Sequence, residues 1–292
     1  MNKLVGVIPP VVTAFDTDRT LNLDKTKMFI RHLIDKGVHG IFVAGSTGEY
    51  TLLSLQERRK LISAGVEAAN GKVPLLAGTG HNSTAIAVEL SQYAEKAGAD
   101  AVVVSLPHYP KPTEEGLYEH YKQICQAVTI PVLVYNWPDA MGFSISPELV
   151  ARLAKDGVIA GIKDSHQNLD HPVEIFRLTQ GQITVFAGWA SKLLPALTLG
   201  LDGVIATAAN AIPEEVVAIY NLFQAGDLEE AREMHHKILP FINAMEEDPD
   251  GIKQAVRLLG HDVGPSRLPI LEAPAAVTTT LKESLRELGK LR

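Results

Sequence analysis

The chain has 292 residues and a formal net charge of −7, with 46% hydrophobic and 21% charged residues. This composition excludes collagen-like, coiled-coil and disordered chains, and the length allows a large core without staples. An acidic balance with no basic run argues against nucleic acid or an anionic membrane surface as a partner, and the single cysteine, Cys125, rules out an intrachain disulfide or a cysteine metal cage.

At the N-terminus only Lys3 precedes a short apolar run that Pro9-Pro10 interrupts and Asp16 closes. No secretory leader is expected from it, and no apolar stretch reaches the ~18 residues of a membrane span. With one cysteine, the expected location is the cytoplasm.

Eight short apolar runs follow one another in chain order: Gly6–Ile8, Gly40–Ala44, Pro74–Ala77, Ala101–Val104, Pro131–Tyr135, Val158–Ile162, Ile183–Ala187 and Gly203–Ala206. They are apolar at consecutive positions rather than alternating, which is the pattern of strands covered on both faces of a parallel sheet. Helical stretches lie between them. Phe29, Ile30, Leu33 and Ile34 form an apolar stripe, as do Ala87, Leu90, Ala94 and Ala97. Ser54-Leu55-Gln56-Glu57 is a capping-box pattern, and Ser146-Pro147 places proline just inside a helix after a capping serine. Glycines at 37, 71, 98, 157, 181 and 200 mark helix ends.

Eight strand–helix units ending near Ala225 predict an α/β fold, a TIM (β/α)8 barrel over residues 1–225. An open doubly wound sheet fits the same periodicity. Residues 226–292 read as a helical extension packed on the barrel within one structural unit, with helices over Leu228–Ala244, Gly251–Leu259 and Thr278–Leu288 and a Gly/Pro-rich stretch over Gly264–Pro274.

In such a barrel the chemistry lies at the C-terminal ends of the strands. Those ends carry Gly45-Ser46-Thr47-Gly48-Glu49, Gly78-Thr79-Gly80-His81, Pro107-His108-Tyr109, Tyr135-Asn136, Lys163-Asp164, Gly188-Trp189 and Thr207. Lys163 follows an apolar run, and a buried ammonium lowers its pKa and becomes a nucleophilic amine. The competing reading is a solvated rim lysine paired with Asp164. Tyr135 is either a proton donor and acceptor or a packed phenol. Ser46-Thr47 sits in a turn that can aim backbone N–H groups at an anion, or is an ordinary strand-to-helix turn. Gly78–His81 lacks the spacing of a phosphate-binding loop. No H-E-x-x-H occurs, His235-His236 do not face one site, and no metal or cofactor is expected.

Taken together and in order, Gly45–Glu49, Pro107-His108-Tyr109, Tyr135-Asn136-Trp137-Pro138 with Gly142, Gly161-Ile162-Lys163-Asp164 and Gly188 resemble the pyruvate-dependent class I aldolases typified by dihydrodipicolinate synthase and N-acetylneuraminate lyase. The resemblance spans essentially the whole chain. It implies that Lys163 forms an imine with a 2-oxo acid, typically pyruvate. Ser46 and Thr47 would hold its carboxylate, Tyr135 would shuttle protons through Thr47, and Tyr109 would complete the relay in a neighbouring subunit. Gly188 and Ile205 would line the pyruvate pocket, and the assembly would be a homotetramer, a dimer of dimers.

Two positions depart from the family pattern. Dihydrodipicolinate synthases carry an arginine for the aldehyde's carboxylate where this chain has Ala140, and alanine supplies no such grip. The neuraminate lyases place acidic residues after the glycine, where this chain has Trp189-Ala190-Ser191. Trp189 is then a substrate wall or rim packing. The expected activity is reversible aldol cleavage of a 2-keto-3-deoxy sugar acid or 4-hydroxy-2-oxo acid to pyruvate and an aldehyde. The alternatives are dihydrodipicolinate synthase proper, and a dehydratase or deaminase of a 2-oxo acid through the same lysine imine. A sensor or carrier that binds a 2-oxo acid without turnover is the rival outside catalysis.

Overall fold

The computed structural model of the chain describes residues 3–292. Eight parallel strands are joined in the order β1-β8-β7-β6-β5-β4-β3-β2. They are β1 (Gly6–Val7), β2 (Ile41–Val43), β3 (Leu75–Gly78), β4 (Ala101–Ser105), β5 (Val132–Asn136), β6 (Gly161–Asp164), β7 (Thr184–Ala187) and β8 (Gly203–Val204). Closure between β1 and β2 runs through Pro9 and Pro10, where the Val11 N–H donates to the Phe42 carbonyl and the Phe42 N–H to that of Pro9. Proline has no N–H to give, so β1 is a two-residue strand extended by single bonds rather than a full ladder. These bonds decide for the closed barrel over the open sheet.

Every β4, β5 and β7 residue is buried because both strand faces are covered. Val102, Val104, Val132, Val134 and Val185 point outward to the helices, while Ala101, Val103, Leu133, Tyr135 and Phe186 point into the barrel with Ile8, Phe42, Leu76 and Ile205. This two-residue alternation between two apolar environments is why the runs lack polar interruptions.

The helices around the barrel are α1 (Leu23–Asp35), α2 (Leu55–Ala69), α3 (Thr84–Ala97), α4 (Glu114–Ala127), the one-turn α5 (Pro138–Met141), α6 (Pro147–Lys155), α7 (Asp170–Thr179), α8 (Leu193–Thr198) and α9 (Pro213–Ala225). The capping box forms at Ser54: its hydroxyl accepts from the Glu57 N–H at 3.2 Å, and its own N–H donates to the Glu57 carboxylate at 2.9 Å. Ser146 caps α6 ahead of Pro147. Gly98 ends α3 with φ 99°, a left-handed value that favours glycine.

Three further helices follow: α10 (Leu228–Glu246), α11 (Gly251–Leu258) and α12 (Ala275–Glu287). The last begins three residues before the expected Thr278, with Pro274 at its N-cap. Helix α10 packs on α9 and α12 and touches the 3-10 turn after β7, and α11 touches the turn after β8. The extension therefore leans over the C-terminal mouth of the barrel at β7 and β8. β6 also differs from expectation. It starts at Gly161 rather than Val158 and runs through Lys163 and Asp164, so the lysine is part of the ladder and not of the loop beyond it.

Candidate active site

Lys163 is placed by strand alternation. Ile162 packs outward, Asp164 also faces the helices, and Lys163 between them enters the barrel interior, only 3% exposed. Its Cα partners are Tyr135 on β5 and Phe186 on β7. Its Nζ lies 4.1 Å from the centre of the Tyr135 ring and 5.7 Å from that of Phe42. Burial lowers its pKa from the ordinary lysine value to about 7, so a sizeable fraction is free amine at neutral pH. Asp164 does not pair with it. The aspartate accepts from Asn136 Nδ2 at 2.9 Å and from the His166 N–H at 3.0 Å, and its other oxygen lies 2.5 Å from His171 Nδ1. The rim ion pair that the sequence allowed is thus replaced by an outward network, and the amine stands alone.

Tyr135 is 4% exposed, and burial raises the pKa of its phenol well above the ordinary value. It stays protonated at neutral pH. Its hydroxyl lies 3.4 Å from Ser46 Oγ, while Thr47 Oγ1 is 2.9 Å from Thr207 Oγ1. The hydroxyls in reach of Tyr135 are therefore those of Ser46 and Ser165. Thr47, expected in the relay, bonds instead to the turn after β8.

Ser46 and Thr47 lie in a turn closed by the Gly48 N–H on the Gly45 carbonyl and the Glu49 N–H on the Ser46 carbonyl. Ala44 and Glu49, on either side, have φ of 55° and 58°. Such left-handed non-glycine residues cost about 1–3 kcal/mol each and persist where the surroundings impose them. Among the described residues, the Ser46 and Thr47 N–H groups have no acceptor within the chain, which leaves them free for an anion.

Gly188 follows β7, and its N–H donates to the Asp164 carbonyl at 2.8 Å. A Cβ there would lie 1.9 Å from Ser165 Oγ, so only bare backbone fits. The Trp189 indole donates to the Ser165 carbonyl at 3.0 Å and meets Trp137 edge to face at 6.3 Å. Ala140 and Met141, on α5, line the same cavity.

Two expected site residues lie outside that cavity. Ile205 is fully buried in the barrel interior beneath it, packed with Tyr135 and Phe186. Tyr109 is 80% exposed, beyond the reach of its own chain's cavity. Its N–H and that of His108 turn to Asn82 Oδ1 at 3.4 and 2.9 Å, and it is His108 that lines the wall. The Gly78–His81 turn is a scaffold: the buried Arg58 guanidinium donates to the Gly78 and Gly80 carbonyls at 2.8 and 3.1 Å. Cys125 is half-buried on α4, against the Gly157 carbonyl.

The cavity holds about 680 Å³. Its depth contains Lys163, Tyr135, Ser46, Thr47 and Thr207, and its outer wall contains Trp137, Ala140, Met141 and Trp189. The extension contributes Glu246, Asp248, Ile252 and Lys253, none of which sequence reading placed at the site. Lys253 had one faint signal, a cation on a helix face otherwise made of Ile252, Ala255 and Val256. Nothing in its spacing points back to a turn some 200 residues earlier. Among the described residues, no group of three or more His, Cys, Asp and Glu side chains is placed to hold a metal ion, and no helix is long and apolar enough to cross a membrane. What the geometry offers is a buried amine beside a phenol and a pair of free amides, suited to a carbonyl compound that carries an anionic group.

Comparison with known proteins places this geometry. The model of the dihydrodipicolinate synthetase family matches residues 3–288. The 4-hydroxy-tetrahydrodipicolinate synthase of Methanopyrus kandleri is 39% identical over 293 residues, covering 99% of this chain and 98% of the relative. That of Methanospirillum hungatei is 41% identical over 285 residues, covering 96% and 98%. The solved structure of a prophage protein of the dihydrodipicolinic acid synthase family from E. coli K12, in complex with pyruvate, matches with a TM-score of 0.94 at 33% identity over 98% of both chains. The chain belongs to the dihydrodipicolinate synthetase family and is an enzyme of the class I aldolase type, a lyase.

Proposed function

We propose that the protein binds pyruvate as an imine on Lys163 and makes or breaks a carbon–carbon bond at C3 of the bound pyruvate. The carrying observation is the isolated, buried Lys163 amine, with its pKa lowered to about 7, facing the Tyr135 phenol and the free Ser46 and Thr47 amides. The amine adds to C2 of the 2-oxo acid, whose carboxylate takes the amide N–H groups. Loss of water leaves a protonated imine. That cation is an electron sink, so C3 can lose a proton to give an enamine, and the enamine carbon can attack an aldehyde whose oxygen takes up a proton. Water then releases the product and restores the amine. Tyr135, protonated in the resting enzyme and beside Ser46, is the group we assign to give and regain protons.

For the second substrate, the names of the relatives support 4-hydroxy-tetrahydrodipicolinate synthesis over the cleavage of a 2-keto-3-deoxy sugar acid. We adopt condensation of pyruvate with an aldehyde as the first reading. One observation favours the second: Ala140 lines the outer wall where the synthases are expected to hold an arginine, and among the described residues no arginine lines the cavity at all. A carboxylate-bearing aldehyde finds no bidentate partner there.

Borohydride added with pyruvate should attach a pyruvate-derived mass to Lys163, and an unmodified lysine would sink the imine reading. Steady-state assays of pyruvate with carboxylate-bearing and with neutral, hydroxylated aldehydes then separate the two readings. Turnover confined to the carboxylate-bearing aldehyde upholds the first, and turnover confined to the hydroxylated aldehyde upholds the second. With a 2-keto-3-deoxy sugar acid supplied as the substrate instead, loss of water with no release of pyruvate would move the enzyme to the dehydratases.

A further inference from the structure

The Glu49–Lys253 pair lies at a depth where a charged pair is hard to justify by stability alone. Glu49 closes the turn that carries Ser46 and Thr47, is 5% exposed, and is held at φ 58°. Its Oε1 lies 2.7 Å from Lys253 Nζ, and its Oε2 accepts the Arg267 N–H at 2.8 Å. Lys253, on α11, is 2% exposed. Its ammonium also donates to the Pro265 carbonyl at 3.0 Å and sits 4.2 Å from the centre of the Phe15 ring. Both residues line the cavity that contains Lys163. The desolvation of two buried charges roughly cancels their attraction, and an apolar pair of similar volume would hold the extension on the barrel equally well.

We infer that the Glu49–Lys253 ion pair is a positioning device for the anion-binding turn, and that through it the C-terminal extension is part of the active site. The inference rests on the reading that the Ser46 and Thr47 amides hold the substrate's carboxylate. A glutamate with positive φ relaxes toward negative φ unless its side chain is tethered. Relaxation rotates the peptide that bears the Glu49 N–H, and the bond from that N–H to the Ser46 carbonyl is the one that closes the turn. Lys253 and the Arg267 N–H supply the tether from two separate segments of the extension. Removing it leaves Lys163 and Tyr135 in place on their strands and disorders the aim of the two amides. The pair thus acts on pyruvate binding more than on the bond-making step.

The test is the double variant Glu49→Gln/Lys253→Met in the full-length protein. It removes both charges together, so neither is left buried alone, and keeps a neutral acceptor for the Arg267 N–H. Borohydride trapping at Lys163 is titrated against pyruvate, alongside steady-state kinetics and calorimetric melting. The half-saturating pyruvate concentration should rise about tenfold, with kcat falling by less than about threefold. A folded variant whose half-saturation stays within about twofold of the wild type assigns the pair to packing and overturns the inference, whatever its melting temperature. Should the double variant not fold, Glu49→Gln alone is read on the same scale with the same two outcomes. Failure of the wild type itself to trap pyruvate is a different result, and it falls on the functional reading above.

Discussion

Tyr135 and Lys163 are Cα partners on adjacent parallel strands, and the Lys163 ammonium nitrogen lies 4.1 Å from the centre of the tyrosine ring. In-register residues of a parallel pair point to the same face, so burying Tyr135 in the barrel interior carries Lys163 in with it. The outward neighbours Asn136 and Asp164 are likewise partners and bond to each other at 2.9 Å. One register therefore sets an inner pair for chemistry and an outer pair that braces it. A one-residue slip would exchange the two.

Replacing Lys163 by methionine should abolish trapping and lower kcat by about 10³-fold or more, since the cavity's other lysine, Lys253, is engaged by Glu49. It should not destabilise the fold. The sign follows from the lowered pKa. Above the unfolded-state value near 10.4 both states hold a neutral amine. As pH falls toward 7, only the unfolded state takes up the proton, so burial of Lys163 costs more, and below about 7 the cost is full and constant. Urea unfolding of wild type and Lys163→Met at pH 7 and pH 9.5 should show a larger stability advantage for methionine at pH 7. The rate of imine formation in the wild type should fall as pH drops through about 7, as the free amine is lost.

Tyr135→Phe keeps the ring that packs with Leu133 and Phe186 and removes only the hydroxyl near Ser46. Melting should change by no more than about 1 kcal/mol equivalent. kcat should fall about 10²–10³-fold with the amine intact, as for loss of a positioned proton donor. Slow but complete borohydride trapping would confirm the split, and an unchanged kcat would remove the phenol from the mechanism.

Tyr109 is a large aromatic at 80% exposure, outside its own cavity. If it completes a neighbour's site, Tyr109→Phe should fold as well as wild type and lose activity, and the Lys163→Met variant should be inactive on its own. Mixing the two after mild dissociation should restore part of the activity, because some sites then receive an intact lysine from one protomer and an intact tyrosine from the other. Mixtures no more active than their components would confine each site to one chain.

Gly188→Ala places a methyl 1.9 Å from Ser165 Oγ and 2.8 Å from Ser165 Cα, a backbone atom that cannot rotate out of the way. The expected cost is about 1–3 kcal/mol. It should come with a drop in trapping efficiency, because Ser165 follows the Lys163-bearing strand by one residue beyond Asp164. Chemical denaturation and the trapping rate measure the two effects separately.

Local chemistry explains what was legible in advance. The eight apolar runs, the capping box at Ser54 and the glycine helix ends are short-range patterns, and the structure contains each of them. Lys163 was conspicuous because an amine at the end of an apolar strand is costly. Boundaries moved where pairing outweighed pattern: Val158 and Ile159 are buried yet lie outside β6, which begins at Gly161 where the ladder with β5 starts.

Sequence by itself determined the number and order of the strand–helix units and the residue types at each strand end, because periodicity, caps and turns depend on neighbours within a few positions. Only the tertiary structure decided the closure of the barrel through Pro9 and Phe42. It also assigned Ser46 rather than Thr47 to the Tyr135 hydroxyl, placed Ile205 beneath the cavity, and brought Lys253 to Glu49. Each of these depends on a contact between segments far apart in the chain, and its geometry is set by strand register and helix packing, which no local pattern encodes.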